Sequence, residues 1–297
     1  MNQKHKMSFT NRLKRNWYKV PRELFLWVNI LLMLFPLYFM VVSSMKSNAE
    51  FYNNPLGLPE NAWENLKENI SMALSGKVGV VQYTGFGTML VNTIIITFVT
   101  LTVMVLVACL AGYVMGTRNF RGKALFTFFV LTIQTVPFFG YIMPMYMFAD
   151  KINLTNHLLG VEPIYVAVSL PQCIILIQGF YSSFPKSIEE AAILDGCTEF
   201  KKLIHIVLPM SKGQIAAMTV INFMGYWNEV AIASLLLNDA ALRTINVGVL
   251  MTNTQTGSMN YAYVFALLVL SAIPNFIFFT LFQKKIIGGI SMGGVKG

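Results

Sequence analysis

The side chains best suited to bind a metal, attack a substrate or move a proton are few and scattered. The histidines are His5, His157 and His205, and the cysteines are Cys109, Cys173 and Cys197. Their spacing offers no His/Cys metal cluster and no Ser-His-Asp grouping, so no metal site and no catalytic residue is predicted. Three cysteines, two of them inside apolar runs, give no disulfide framework. A nucleotide-cradling loop needs Gly-x-x-x-x-Gly-Lys-Ser/Thr. The pairs Gly76-Lys77 and Gly122-Lys123 run on into Val78 and Ala124. The chain is therefore not expected to hydrolyse ATP by itself, and uphill transport driven by ATP would need another subunit.

A second group of residues is defined by cost. Polar side chains inside apolar runs are expensive in lipid and mark functional positions. They are Asn92, Gln134, Gln172, Gln178, Asn222, Asn228, Glu229 and Asn275. Among them Gln134, Asn222, Asn228 and Glu229 are candidates to line a translocation path. Only Glu229 is ionisable. It lies about 15 residues into its apolar run, roughly 22 Å along a helix, where a carboxylate can also reach water by snorkelling. Both readings stand on the sequence. A single carboxylate with no His, Lys or Arg partner is poor material for a proton relay.

The elements that carry these residues follow from composition. The 297 residues are 55% hydrophobic and 12% charged, with a mean hydropathy of +0.59, too apolar for a soluble domain. About 20 apolar residues span a bilayer, and six runs qualify, at about 24–43, 89–115, 124–148, 163–180, 214–237 and 262–282. All should be helices, because hydrocarbon leaves no other partner for backbone N–H and C=O groups. The predicted class is an all-α polytopic membrane protein with six transmembrane helices. The net charge of +9 does not point to nucleic acid, since the basic residues sit beside apolar runs. Seventeen of the 22 Lys and Arg fall in the arm 1–23, the segment 118–123, the loop 185–212 and the tail after 282. Under the positive-inside rule both termini are then cytoplasmic. The basic arm precedes an apolar run of about 20 residues with no Ala-x-Ala site, which predicts an uncleaved first span. In the first outer loop Trp63, Leu66 and Ile70 predict a short amphipathic helix over Glu60–Ile70, either resting on the membrane or docking an external partner. Pro137, Pro144, Pro171 and Pro274 predict kinks or packing features in the third, fourth and sixth spans. No inverted repeat of broken helices is evident between the halves, which disfavours a secondary transporter.

Between the fourth and fifth spans lies a polar island, loop 185–212. Ser187-Ile188-Glu189-Glu190 has the spacing of a capping box, predicting a helix that begins there. Ile193, Cys197, Phe200 and Ile204 form a helical apolar stripe, and Gly196 interrupts it, predicting two short helices joined there. Pro209 marks the end of the second piece or the start of the fifth span.

The spacing Glu190-Ala191-Ala192, three residues, Gly196, nine residues, Ile206, one residue, Leu208-Pro209 resembles the EAA loop of the permease subunits of ABC importers. Tyr226-Trp227-Asn228-Glu229, Leu242-Arg243-Thr244-Ile245-Asn246-Val247-Gly248 and the ending Gly293-Gly294-Val295-Lys296-Gly297 are similar to the carbohydrate, maltose-type branch. One departure is Gly213, where that branch often has proline. The resemblance covers residues 24–297 and implies a type I importer permease fold, with 24–284 as the permease domain and 285–297 as a cytoplasmic tail. It implies that Glu190, Ala191, Ala192, Asp195, Gly196, Ile206, Leu208 and Pro209 couple the chain to a cytoplasmic ATPase. Glu190 can equally be needed only to start its helix. Implied partners are two nucleotide-binding ATPase subunits, which would use ATP and Mg, a homologous permease, an extracellular solute-binding protein, a sugar substrate and membrane lipid. This chain itself is expected to bind no cofactor. The glycine-rich segment 288–294 reads as too flexible for a helix; in the maltose-type branch such a tail reaches into the ATPase dimer. An importer for a non-sugar solute and an ion-coupled secondary transporter remain alternatives.

Overall fold

A computed structural model describes residues 19–79, 81–252 and 260–294. Residues 1–18 of the basic arm and 295–297 of the tail lie outside the described residues. Four helices are long and apolar enough to cross a membrane, and two bent helix pairs bring the number to six if each pair is one span. The long ones are α1 (Lys19–Ser44), α4 (Phe86–Thr117), α7 (Glu162–Ser182) and α14 (Tyr261–Gly294). By backbone packing the described residues up to Ser71, with Asn260–Val269, form one compact unit, and the rest form another.

In the first unit, Ser47-x-x-Glu50 closes a capping box that opens α2 (Asn48–Asn53): Glu50 N–H donates to Ser47 Oγ and Ser47 N–H to Glu50 Oε2. Buried Lys46 donates through Nζ to the carbonyls of Asn54 and Pro55, at 2.9 and 2.8 Å. The amphipathic helix expected at 60–70 is α3, Ala62–Ser75, with Trp63 exposed and Asn69 buried. Just beyond this unit β1 (Lys77–Val78) pairs antiparallel with β2 (Val81–Gln82).

In the second unit the third apolar run is not one helix. It is α5 (Lys123–Ile133) and α6 (Phe138–Lys151), bent by 104°. Pro137 offers no N–H and disfavours helical backbone at Val136, so the last turn of α5 tightens into Thr135 N–H to Thr132 O and Val136 N–H to Ile133 O bonds. Pro144, Pro171 and Pro274 instead sit inside continuous helices. The fifth run is also divided. Helix α11 (Lys212–Trp227) ends at Asn228, and a separate helix α12 (Ala231–Leu236) follows. A 3-10 turn at Ala240–Leu242 then leads into α13 (Ile245–Thr252). The tail departs from expectation: α14 continues as helix to Gly294. Extending an existing helix adds one backbone bond per ordered residue, and the roughly 1 kcal/mol cost of each glycine weakens that gain without starting a new nucleus.

The best-packed pair is α4 against α7, both apolar and meeting through small residues. A methyl on Gly112 would lie 2.6 Å from Ile177 Cγ2, and one on Gly116 2.7 Å from Tyr181 Cβ. The two helices therefore approach backbone to backbone, the geometry that lets helices associate where lipid removes the hydrophobic drive.

Candidate functional site

The polar island folds as two helical stretches, one on either side of Gly196. Helix α8 covers Lys186–Leu194 and α9 covers Glu199–Lys202; a π-helical turn (Leu203–Val207) and α10 (Leu208–Met210) then lead through a 75° bend into α11. The capping box expected at Ser187 does not form. Pro185 occupies the cap position with no side-chain cap bond, so Ser187 is already inside the first turn, where its backbone is helical. The helix therefore starts two residues earlier than the Ser-x-x-Glu spacing suggested. Pro209 stands in the first turn of α10, just before the bend.

The break at Gly196 is a left-handed cap. Gly196 has φ +72°, its N–H donates to Ile193 O, and Cys197 N–H donates to Ala192 O at 2.9 Å, so the last carbonyls of α8 are satisfied. A methyl there would meet nothing within 4 Å, so glycine is needed for its conformation and not for space. Gly196→Ala is expected to destabilise the loop by about 1–2 kcal/mol, the left-handed penalty, and Gly196→Asn by clearly less. Limited proteolysis of the loop in detergent measures this; equal effects of Ala and Asn would refute the conformational account.

Glu190 and Ala191 are exposed, as are Asp195, Gly196 and Pro209; Ile206 and Leu208 are half-buried, and Ala192 is buried. Glu190 makes no hydrogen bond or ion pair among the described residues. Around it stands a bare apolar face: Leu194 is 87% exposed, Phe200 66%, and Ile193 and Ile204 are exposed too. Exposed large apolar side chains on one short loop, with carboxylates beside them in sequence, suit an interaction surface.

Behind that face the loop is held by charges. Lys202, only 2% exposed, sends Nζ to Glu189 Oε1 at 3.1 Å and to Glu199 Oε1 at 3.0 Å. Arg118, just past α4, pairs with Glu189 Oε1 at 2.9 Å and also with Glu199. Tyr113 of α4 donates to Glu199 Oε2 at 3.0 Å. None of these five was a sequence candidate. The Glu199 to Lys202 spacing of three was legible, but pairing over 81 residues, Arg118 to Glu199, carries no local signal.

The other expected group sits around the break in the fifth run. Both oxygens of Glu229 are engaged: Oε1 accepts from Ile232 N–H at 2.7 Å, and Oε2 from Ala233 N–H at 3.0 Å and from Tyr165 OH. Glu229 thus has a partner, Tyr165 of α7, whose ring stacks on Tyr226 at 5.5 Å. Asn228 donates to Met224 O and accepts from Asn275. Asn222, about a turn and a half earlier on α11, donates to Met218 O and to Cys173 Sγ. Gln134 lies apart, at the α5–α6 bend, with a local bond to Val130 O. That bend borders an apolar cavity of about 310 Å³ between Val136, Tyr141 and Ala167. Asn228 and Glu229, neighbours in sequence, sit at the break after α11, and Gln134 caps the end of α5.

These features describe a membrane transport subunit: apolar helices with broken spans, and an exposed loop anchored by charge. In fold, the chain is similar to a bacterial ABC transporter involved in the import of the acidic polysaccharide alginate, with a TM-score of 0.76 at 20% identity over 93% of this chain and 98% of that one. Residues 108–286 match the binding-protein-dependent transport system inner membrane component family, and the chain belongs to that family. Its fold is that of a type I importer permease. It is 30% identical to a probable ABC transporter permease of Bacillus subtilis, covering 96% of this chain and 91% of that protein. It is also 30% identical to the trehalose/maltose transport system permease MalG of Thermococcus litoralis, over 89% and 92%. A third relative is the maltodextrin transport system permease MalD of Streptococcus pneumoniae, at 28% over 98% and 100%.

Proposed function

We propose that this chain is the permease subunit of an ATP-driven importer of a sugar or oligosaccharide. The observation that carries the reading is the bare face of Ile193, Leu194, Phe200 and Ile204 beside Glu190 and Asp195, on a loop with the EAA spacing. The solute class rests on relatives named for trehalose, maltose and maltodextrin transport. In this reading the loop faces the cytoplasm of a bacterial or archaeal cell and docks on two ATPase subunits, which hold the ATP and Mg. A homologous permease completes the passage, and an extracellular solute-binding protein delivers the sugar. Closure of the ATPases on ATP moves the loop and rocks the spans, exposing the passage alternately to each side. Such coupling requires that the two ATPase states bind the loop with different affinity, since a partner that prefers neither state shifts nothing.

The test is to purify the chain with its encoded partners and measure uptake in vesicles. Leu194→Glu and Phe200→Glu, on exposed positions, should leave the chain in the membrane and lower ATPase co-purification about tenfold or more, because a charge is buried in the interface. Wild-type co-purification of both variants would refute docking at this face. Sugar uptake should fail on ATP depletion and survive collapse of the ion gradients; the opposite result favours an ion-coupled transporter.

A further inference from the structure

Helix α4 is the one long helix with neither proline nor break: α1 contains Pro36, α7 Pro171 and α14 Pro274. Its 32 residues make a rod of roughly 48 Å. Both ends are held by polar contacts to segments far away in sequence. At one end, Tyr113 and Arg118 join Glu189, Glu199 and buried Lys202 of the docking loop. At the other, Asn92 Nδ2 donates to the carbonyls of Ala241 and Arg243, at 2.8 and 3.1 Å, and Ile245 N–H donates to Thr93 Oγ1 at 3.0 Å. Asn92 and Thr93 are buried.

The contacts at the two ends are not equivalent to ordinary surface pairs. Lys202 binds Glu189 before Gly196 and Glu199 after it, so it closes the two halves of the loop on each other across their only left-handed residue. Arg118 uses the same two carboxylates, which fastens both halves to α4. The loop cannot flex at Gly196 without taking Glu189 away from a buried ammonium and leaving it Glu199 alone, a costly event. At the far end the segment held by Asn92 and Thr93 carries Asn246, whose Nδ2 donates to Trp227 O at 2.8 Å, immediately before Asn228 and Glu229. One continuous set of contacts therefore runs from the docking face, along an unbroken helix, to the break in the fifth run.

We propose that α4 is the transmission rod of the transporter, with Lys202 and Arg118 as positioning residues at its loop end and Asn92 and Thr93 at its far end. This rests on the docking reading above. A displacement of the loop moves α4 as a body, and α4 carries residues 240–246 and the Trp227–Glu229 break with it. Neither set of residues touches solute or nucleotide.

The experiment is a double-mutant cycle on the assembled transporter in vesicles, reading solute moved per ATP hydrolysed. Lys202→Met and Asn92→Leu should each lower that ratio about tenfold while ATPase co-purification persists, and Lys202→Arg should stay within about threefold of wild type. The double variant should be no worse than the more impaired single one, because a rod cut at one end transmits nothing further when cut at the other. Multiplied losses of about a hundredfold, or a wild-type ratio in either single variant, would overturn the proposal. Glu189→Gln, half-exposed, replaces Lys202→Met in the cycle if that variant does not reach the membrane, with the same outcomes. Failure of the docking reading is separate: the wild-type chain itself would then transport without binding an ATPase.

Discussion

Gly116→Leu is expected to remove the folded permease from the membrane, and Gly112→Leu to do the same. The atoms a side chain would strike are not the yielding ends of long side chains. At Gly116 they are Tyr181 Cβ at 2.7 Å and Gln178 O at 3.0 Å; at Gly112 they are Ile177 Cγ2 at 2.6 Å and Cβ at 3.0 Å. Four residues apart on α4, the two glycines lie on one face, so either substitution forces α4 and α7 apart along the same seam. Separation breaks the Tyr113–Tyr181 ring contact at 6.0 Å and the bond from Ser182 Oγ to Gly116 O. Lipid fills no such gap to the helices' benefit, because close packing is itself what holds them together. Alanine should cost about 1–3 kcal/mol, as overpacking does, and leucine more than the marginal stability of the unit. Gly179, on α7 itself, is the control: a methyl there meets nothing within 4 Å, and Gly179→Ala should be neutral or stabilising by about 0.5–1 kcal/mol. Membrane abundance and the melting temperature in detergent check all five variants, and a Gly116→Leu protein that melts like wild type would dismiss the seam.

What could be read from the chain beforehand divides along physical lines. Helix existence was legible wherever about 20 apolar residues run together, because lipid forces that outcome; hence α1, α4, α7 and α14 stand close to where they were expected. Continuity was not legible. Val136-Pro137 broke the third run while Pro144, Pro171 and Pro274 sit inside continuous helices, a difference that the presence of proline alone does not encode. Gly196 was legible as a break because left-handed backbone is a local property. Ser187-x-x-Glu190 and Ser47-x-x-Glu50 share one signature, and only the second caps a helix, since Pro185 preempts the first. With the cap role absent at Glu190, its carboxyl group stands exposed, without a side-chain partner among the described residues. The Arg118, Glu189, Glu199 and Lys202 cluster was invisible, as any pairing set by tertiary packing must be.

Glu229→Ala should destabilise the second unit by roughly 3 kcal/mol or more, without changing which solute is preferred. Its two oxygens accept from Ile232 N–H, Ala233 N–H and Tyr165 OH, and each donor left unpaired in a part-buried site costs about 1–3 kcal/mol. The loss falls on one place, the start of α12, whose first N–H groups have no helical partner of their own. Glu229→Gln keeps the shape and turns an amide NH2 toward one of these donors, so it should recover part of the loss and no more. Tyr165→Phe removes a single bond and should cost about 1–2 kcal/mol. Because Tyr165 acts on α12 only through Glu229, the double variant Tyr165→Phe with Glu229→Ala should be less destabilised than the sum of the two. A residue that met the solute would behave differently: Glu229→Gln would melt like wild type while its sugar preference or half-saturating concentration shifted. Melting in detergent beside competitive uptake of several sugars separates the outcomes. Unchanged melting with altered preference would return Glu229 to the translocation path, and lowered melting with unchanged preference makes it the clasp that joins α7 to the far side of the break.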